Sequence, residues 1–146
     1  MKRRELCLAL VALPALAQAS NALSPVLQAQ LRVYAGDAAV QFGGLQIGIE
    51  PLVDNGNSVP ISLAVTQALP ANTRVLGMAV FNEKNPQPEV AEFEFSALQA
   101  RAEVATRIRL AVSQQLLAVA RLSNGQILAS AVDVIVTIAS CIEEPA

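Results

Sequence analysis

The feature that most constrains this chain is a period of two. Val59, Ile61, Leu63 and Val65 alternate with other residues, and Val104, Thr106, Ile108 and Leu110 alternate with Ala105, Arg107 and Arg109. Successive side chains of a strand point to opposite faces, so such runs read as half-buried strands. Leu45, Ile47 and Ile49 repeat the pattern, and the Val90–Phe95 run sets Ala91, Phe93 and Phe95 against Glu92 and Glu94. Arg74 to Phe81 and Leu116 to Leu122 are short apolar runs. Turn residues punctuate these segments: Phe42-Gly43-Gly44, Pro51 with Asp54-Asn55-Gly56-Asn57, Pro70-Ala71-Asn72, and Asn82 to Pro88. Asn124-Gly125 is a two-residue hairpin signal ahead of a last strand, Ile127–Ile138.

About seven strands at near-regular spacing predict an all-β fold, an immunoglobulin-like antiparallel β-sandwich. Val59, Ile61, Leu63, Phe93, Phe95, Ile108, Leu110, Val132, Val134 and Val136 are expected to be mainly buried. A short helix precedes the strands. Ser24 can cap it, Pro25 suits its first position, Leu27, Leu31 and Tyr34 form one stripe, and Gly36 can end it. This helix is expected at the edge of the domain.

Residues 1–19 read as a signal peptide. Lys2-Arg3-Arg4-Glu5 is a basic start, Leu6 to Ala17 is an apolar run too short to span a bilayer, and Ala17-Gln18-Ala19 is a cleavage pattern. Arg3-Arg4 also fits a loose twin-arginine signal. The expected location is therefore periplasmic, with cleavage near Ala19 and no stable membrane insertion. Cys7 falls in the removed segment and has no assigned role. The full chain carries a net charge of −2, and the leader holds three basic residues and one acidic, so the remaining 127 residues carry −4. Without a basic patch interleaved with aromatics, nucleic acid is not an expected partner. With no histidine and one remaining cysteine, a metal site or histidine-based catalysis is not expected either.

That remaining cysteine is Cys141. It stands three residues beyond the β-branched run Val132–Ile138, in the segment 139–146 that follows the 20–138 domain. At about 3.3 Å per extended residue, the tether lets the sulfur stand about 10 Å off the domain, where partners can reach it. An unpaired thiol in an oxidising compartment calls for an explanation.

Several stretches, taken in order, resemble the SoxY family of sulfur carriers: Pro51, Asp54-Asn55-Gly56, Val59-Pro60, Glu83-Lys84-Asn85-Pro86-Gln87-Pro88, Phe93, Thr106-Arg107-Ile108-Arg109, Asn124-Gly125, and Val134-Ile135-Val136-Thr137 leading to Cys141. The resemblance spans roughly Ile47 to Cys141. It implies an immunoglobulin-like sandwich and a periplasmic carrier that holds sulfur-compound intermediates covalently on Cys141 during thiosulfate oxidation. It implies a SoxZ-like small β-sandwich partner and sulfur-oxidising enzymes that visit the arm, with no other cofactor. The carrier itself is not the enzyme. The arm departs from the family pattern. Where SoxY has Gly-Gly-Cys-Gly-Gly, this chain has Ala139-Ser140-Cys141-Ile142-Glu143-Glu144, as in a divergent branch. Glycines allow a thin arm; Ile142, Glu143 and Glu144 make this one thicker, stiffer and acidic. Nearby carboxylates disfavour the thiolate, so the thiol is damped and a partner with a wider, basic mouth is expected.

Two other readings compete with the carrier. Cys141 could form an intermolecular disulfide in a structural or interaction subunit. An enzyme with Cys141 as nucleophile would lack a histidine base. Arg107 and Arg109, two residues apart on an outward face, could contact an anionic cargo or a partner's acidic arm, or simply be solvated. Asp54-Asn55-Gly56-Asn57 lacks the spacing of a calcium loop and reads as a turn.

Overall fold

The computed structural model describes residues 22–99 and 101–138. The leader with Cys7, and the arm with Cys141, Ile142, Glu143 and Glu144, lie outside the described residues. No helix among the described residues is long and apolar enough to cross a membrane.

One helix leads the described chain. In α1 (Pro25–Ala35) the Ser24 hydroxyl accepts from the Leu27 amide, Pro25 occupies the first turn, and the Gly36 amide closes the end on the Arg32 carbonyl at 2.9 Å. Gly36 has φ +56°, a conformation glycine adopts without a Cβ penalty.

Nine strands follow: β1 (Val40–Phe42), β2 (Leu45–Gly48), β3 (Leu52–Asn55), β4 (Val59–Val65), β5 (Val75–Asn82), β6 (Glu89–Glu94), β7 (Glu103–Ile108), β8 (Gln114–Leu122) and β9 (Ile127–Ile138). They form a β-sandwich. One sheet runs β1-β9-β8-β5-β6, with β3 also on β9; the other runs β2-β4-β7. Between the sheets lies a core built from Val59, Ile61, Leu63, Met78, Val80, Leu110, Leu116, Leu128 and Val134, among others. Of the residues expected inside, Phe93, Val132 and Val136 are half-buried against this core and the rest are buried.

The helix does not sit at the edge, as expected, but on the outer face of the larger sheet. Leu27 is fully buried there with Ala79, Phe81, Leu117, Val119, Ile127 and Ala129, and Leu31 and Tyr34 pack alongside. Burying a leucine is worth about 2 kcal/mol. With both faces covered, the middles of β5 and β8 need apolar residues on both sides, which accounts for the apolar runs Met78–Phe81 and Leu116–Ala120.

The strand pairing is not purely antiparallel. β1 and β3 both run parallel to β9, with Val40 opposite Ile127 and Leu52 opposite Ile135. Asp54 and Asn55, expected in a turn, end β3; the turn itself is Gly56-Asn57. β8 and β9 do form an antiparallel hairpin, but its connection is four residues, Ser123 to Gln126, rather than two. There the Gly125 amide bonds to the Leu122 carbonyl and Gly125 takes φ +87°.

Candidate functional site where the carboxy-terminal arm leaves the sandwich

Of the expected site residues, the structure places Arg107 and Arg109. For Cys141 it supplies the base of the tether, Ile138 at the end of β9. That base is held from both sides. β8 accompanies β9 only as far as the Gln114–Val134 pair. Beyond it, β3 flanks one side, with Val53 opposite Val136 and Asn55 opposite Ile138. On the other side Ser113 substitutes for a strand: its hydroxyl accepts from the Val136 amide at 2.8 Å and donates to the Val136 carbonyl at 3.3 Å. Thr137 donates its hydroxyl to the Asp54 carbonyl at 2.9 Å.

Gly56 closes the base. Its amide donates to the Ile138 carbonyl at 3.1 Å, and its carbonyl accepts from the Leu110 amide at 2.8 Å. One buried residue thus ties β9 to the chain just past β7. A Cβ here would stand 2.1 Å from the Leu110 carbonyl oxygen and 3.1 Å from Cγ1 of Val136, so the position is sterically closed to a side chain.

The loop between β5 and β6 holds the other wall. Asn85 donates from Nδ2 to the Arg109 carbonyl at 2.8 Å, and its Oδ1 accepts from the Ala111 amide at 2.9 Å and from Gln114 Nε2 at 2.7 Å. Gln114 Oε1 accepts from the Lys84 amide at 2.8 Å, and the Lys84 ammonium donates to the Ser113 carbonyl at 3.2 Å. Fully buried Asn82 supports Asn85 by accepting its amide at 2.9 Å. Asn82, Gln114 and Gln115, the buried polar side chains of the described core, all sit at this end and all find partners. Buried polar groups without partners are costly, so this satisfied network fixes the loop geometry rather than loosening it.

Arg107 and Arg109 lie at the same end, exposed as expected. Arg107 belongs to β7 and reaches across to Ser58, donating to its carbonyl at 3.4 Å and its hydroxyl at 3.3 Å. Arg109 follows β7 directly. Both line a groove of about 500 Å³ between β6 and β7, with Val90, Phe93, Thr106 and Ile108 among its walls. Gly56, Ser113, Thr137 and the Asn82–Asn85–Gln114 set were not identified from the sequence as site residues. Their partners are mostly backbone atoms, and no side-chain pattern announces such a role. The signal that could have found them is the polar Ser113-Gln114-Gln115 step at the head of an apolar strand. No group of three or more metal-ligating residues occurs among the described residues.

The family model of the sulfur oxidation protein SoxY matches residues 30–141. The chain belongs to the SoxY family. The match includes α1 from its middle, the whole sandwich and the position of Cys141. No curated protein matches the sequence. Among solved structures, the SoxY sulfur carrier protein from Chlorobium limicola f thiosulfatophilum superposes with TM-score 0.62 at 23% identity, covering 75% of this chain and 90% of that one. A putative superoxide reductase from Thermotoga maritima gives TM-score 0.54 at 18% identity, over 70% of this chain and 89% of that one. The superoxide reductase (neelaredoxin) of Ignicoccus hospitalis gives 0.56 at 13% identity, over 64% and 80%. At these identities the structural likenesses speak for the sandwich fold alone. Within the matched region, the Lys84-Asn85-Pro86 loop braces the segment that holds the end of β9.

Proposed function

We propose that this SoxY-family chain is a periplasmic carrier that holds sulfur-compound intermediates covalently on Cys141 and has no catalytic machinery of its own. The observation that carries the reading is the braced end of β9. A strand held by β3, Ser113, Thr137 and Gly56 ends three residues before the one thiol of the mature chain. A rigid base with a short tether offers a sulfur atom to partners at a defined place, which is what a carrier requires and what a buried structural cysteine does not.

The chemistry sets the division of labour. Joining the Cys141 thiol to the terminal sulfur of thiosulfate forms one S–S bond and releases one proton and two electrons. The chain beyond residue 19 has no histidine to take the proton and no second cysteine to take the electrons. The oxidant and the base therefore belong to the loading enzyme, and later release belongs to enzymes that visit the arm. A SoxZ-like small β-sandwich is the expected stable partner, and the leader within residues 1–19 the expected route of export.

Intact mass spectrometry of the protein recovered from the periplasm, before and after reduction, tests the reading. A reducible increment on Cys141 in steps of sulfur or sulfonate supports it, as does loss of sulfur-compound oxidation in cells carrying Cys141→Ala. A quantitative disulfide-linked dimer would replace it with the structural-subunit reading.

A further inference from the structure

The groove between β6 and β7 and the base of the arm meet at one end of the sandwich. Arg107 and Arg109 line this groove, and neither forms an ion pair among the described residues; the ion pairs there are Arg101–Glu103 and Arg121–Glu94. Glu89 also lines the groove and is paired with neither arginine, so the lining carries an excess of positive charge. Ser58 draws the Arg107 guanidinium toward the β3–β4 turn, two residues from Gly56. Gly56 in turn touches Ile138 on one side and Leu110, the neighbour of Arg109, on the other.

The path from the arm base to the arginines is therefore short. From the Ile138 carbonyl to the Leu110 amide there are two hydrogen bonds, 3.1 and 2.8 Å, and the single residue Gly56 between them. Glu143 stands five residues beyond Ile138. At about 3.3 Å per residue it reaches about 16 Å, enough to cover that path and the two-residue step from Arg109 to Arg107. The sequence past the thiol is Ile142-Glu143-Glu144: one apolar residue and two carboxylates. The groove offers the complement, an apolar floor from Val90, Phe93 and Ile108 and two guanidiniums at its rim.

We propose that the chain's own segment Ile142-Glu143-Glu144 docks in the β6–β7 groove against Arg107 and Arg109, so that Cys141 exchanges between a position held against the domain and one extended to partners. The two arginines are exposed, so the attraction is screened by salt and the docked fraction falls as ionic strength rises. A partner that presents its own basic surface competes for the same carboxylates and releases the thiol where it is needed. The proposal rests on the groove and the residues past the thiol and requires no sulfur cargo, so its failure leaves the carrier reading intact.

The test places a nitroxide on Cys141 of the full chain carrying Cys7→Ser and reads the broadening of backbone amide signals in the 15N-labelled protein. At low salt, the amides of residues 90–93 and 106–109 are expected to lose at least half their intensity. The loss is expected to reverse at about 0.5 M salt, where the screening length is only a few ångström, and in Glu143→Gln/Glu144→Gln. Exchanging the charges, with Arg107→Glu/Arg109→Glu and Glu143→Lys/Glu144→Lys together, should restore the broadening, which a merely misfolded variant would not do. Broadening absent from the groove, or unaffected by neutralising the glutamates, overturns the proposal. So does equal broadening when 15N-labelled chains without nitroxide are mixed with unlabelled chains that carry it, because the occupant would then be a second copy.

Discussion

The amide of Gly56 and the carbonyl of Ile138 are 3.1 Å apart, and this contact joins the turn after β3 to the last described residue of β9. The same glycine accepts from Leu110, so the end of the large sheet is tied to the end of β7 in the small one. Gly56→Ala drives a methyl into the Leu110 carbonyl, which is backbone and cannot swing aside. The expected cost is about 1–3 kcal/mol, as for other overpacked sites. Urea denaturation should show a lower midpoint, and amide exchange should show position 56 and Leu110, whose amides donate these two bonds, losing protection before the interior of β9.

Ser113 contributes two hydrogen bonds to Val136 where no strand is present to make them. Ser113→Ala removes both and is expected to cost about 1–2 kcal/mol in total. The sharper readout is local: the Val136 amide should exchange at least tenfold faster while that of Leu128, deep in the sheet, is unchanged. Equal acceleration at both sites would mean that the substitution acts on global stability alone.

Asn85 uses both ends of its amide on three partners. Asn85→Ala strands the Arg109 carbonyl and the Ala111 amide together and is expected to cost about 1–3 kcal/mol. Asn85→Asp keeps the acceptor side but sets a carboxylate oxygen against the Arg109 carbonyl in place of the donor, so it too should lower thermal stability.

Tyr34 stands edge-on to Phe81, with ring centroids 5.8 Å apart, and its buried hydroxyl oxygen has no hydrogen-bond partner among the described residues. Burial pushes its pKa above the ordinary 10.0, with Arg121 working in the opposite direction. A raised pKa means that the folded state holds the proton more tightly than the unfolded chain. The contribution is fully present below pH 10 and is lost as pH climbs through the folded-state value. Tyr34→Phe should leave neutral-pH stability unchanged or slightly higher and should flatten the decline of unfolding free energy above pH 10. An alkaline decline as steep as in the wild type would assign the effect to other groups.

The alternating strands were the legible part of this fold. β4 reads directly from Val59 to Val65, and β7 shows the expected in-and-out pattern. β1 and β3 were not legible for a physical reason. They are three and four residues long, too short to establish a period, and each is ordered by a parallel partner, β9, that lies more than 80 residues along the chain. The apolar runs of β5 and β8 showed that those strands are buried, but not that α1 is what covers their second face. Arg107 and Arg109 stood out because clustered charges are conspicuous in such a composition, and the structure places them on one groove; Cys141, conspicuous as an unpaired thiol, lies outside the described residues. Gly56 and Ser113 did not stand out, because what they recognise is the backbone of residues distant in sequence.

Parallel neighbours on one side of β9 and an antiparallel one on the other have a mechanical consequence. β9, the longest strand among the described residues, is neither a loop nor a peeling edge but an interior strand of its sheet. A pull along its axis loads the hydrogen bonds of β9 all at once, in shear, rather than opening them one at a time like a zipper. The end of β9 can take a lengthwise load without the sandwich unravelling from it.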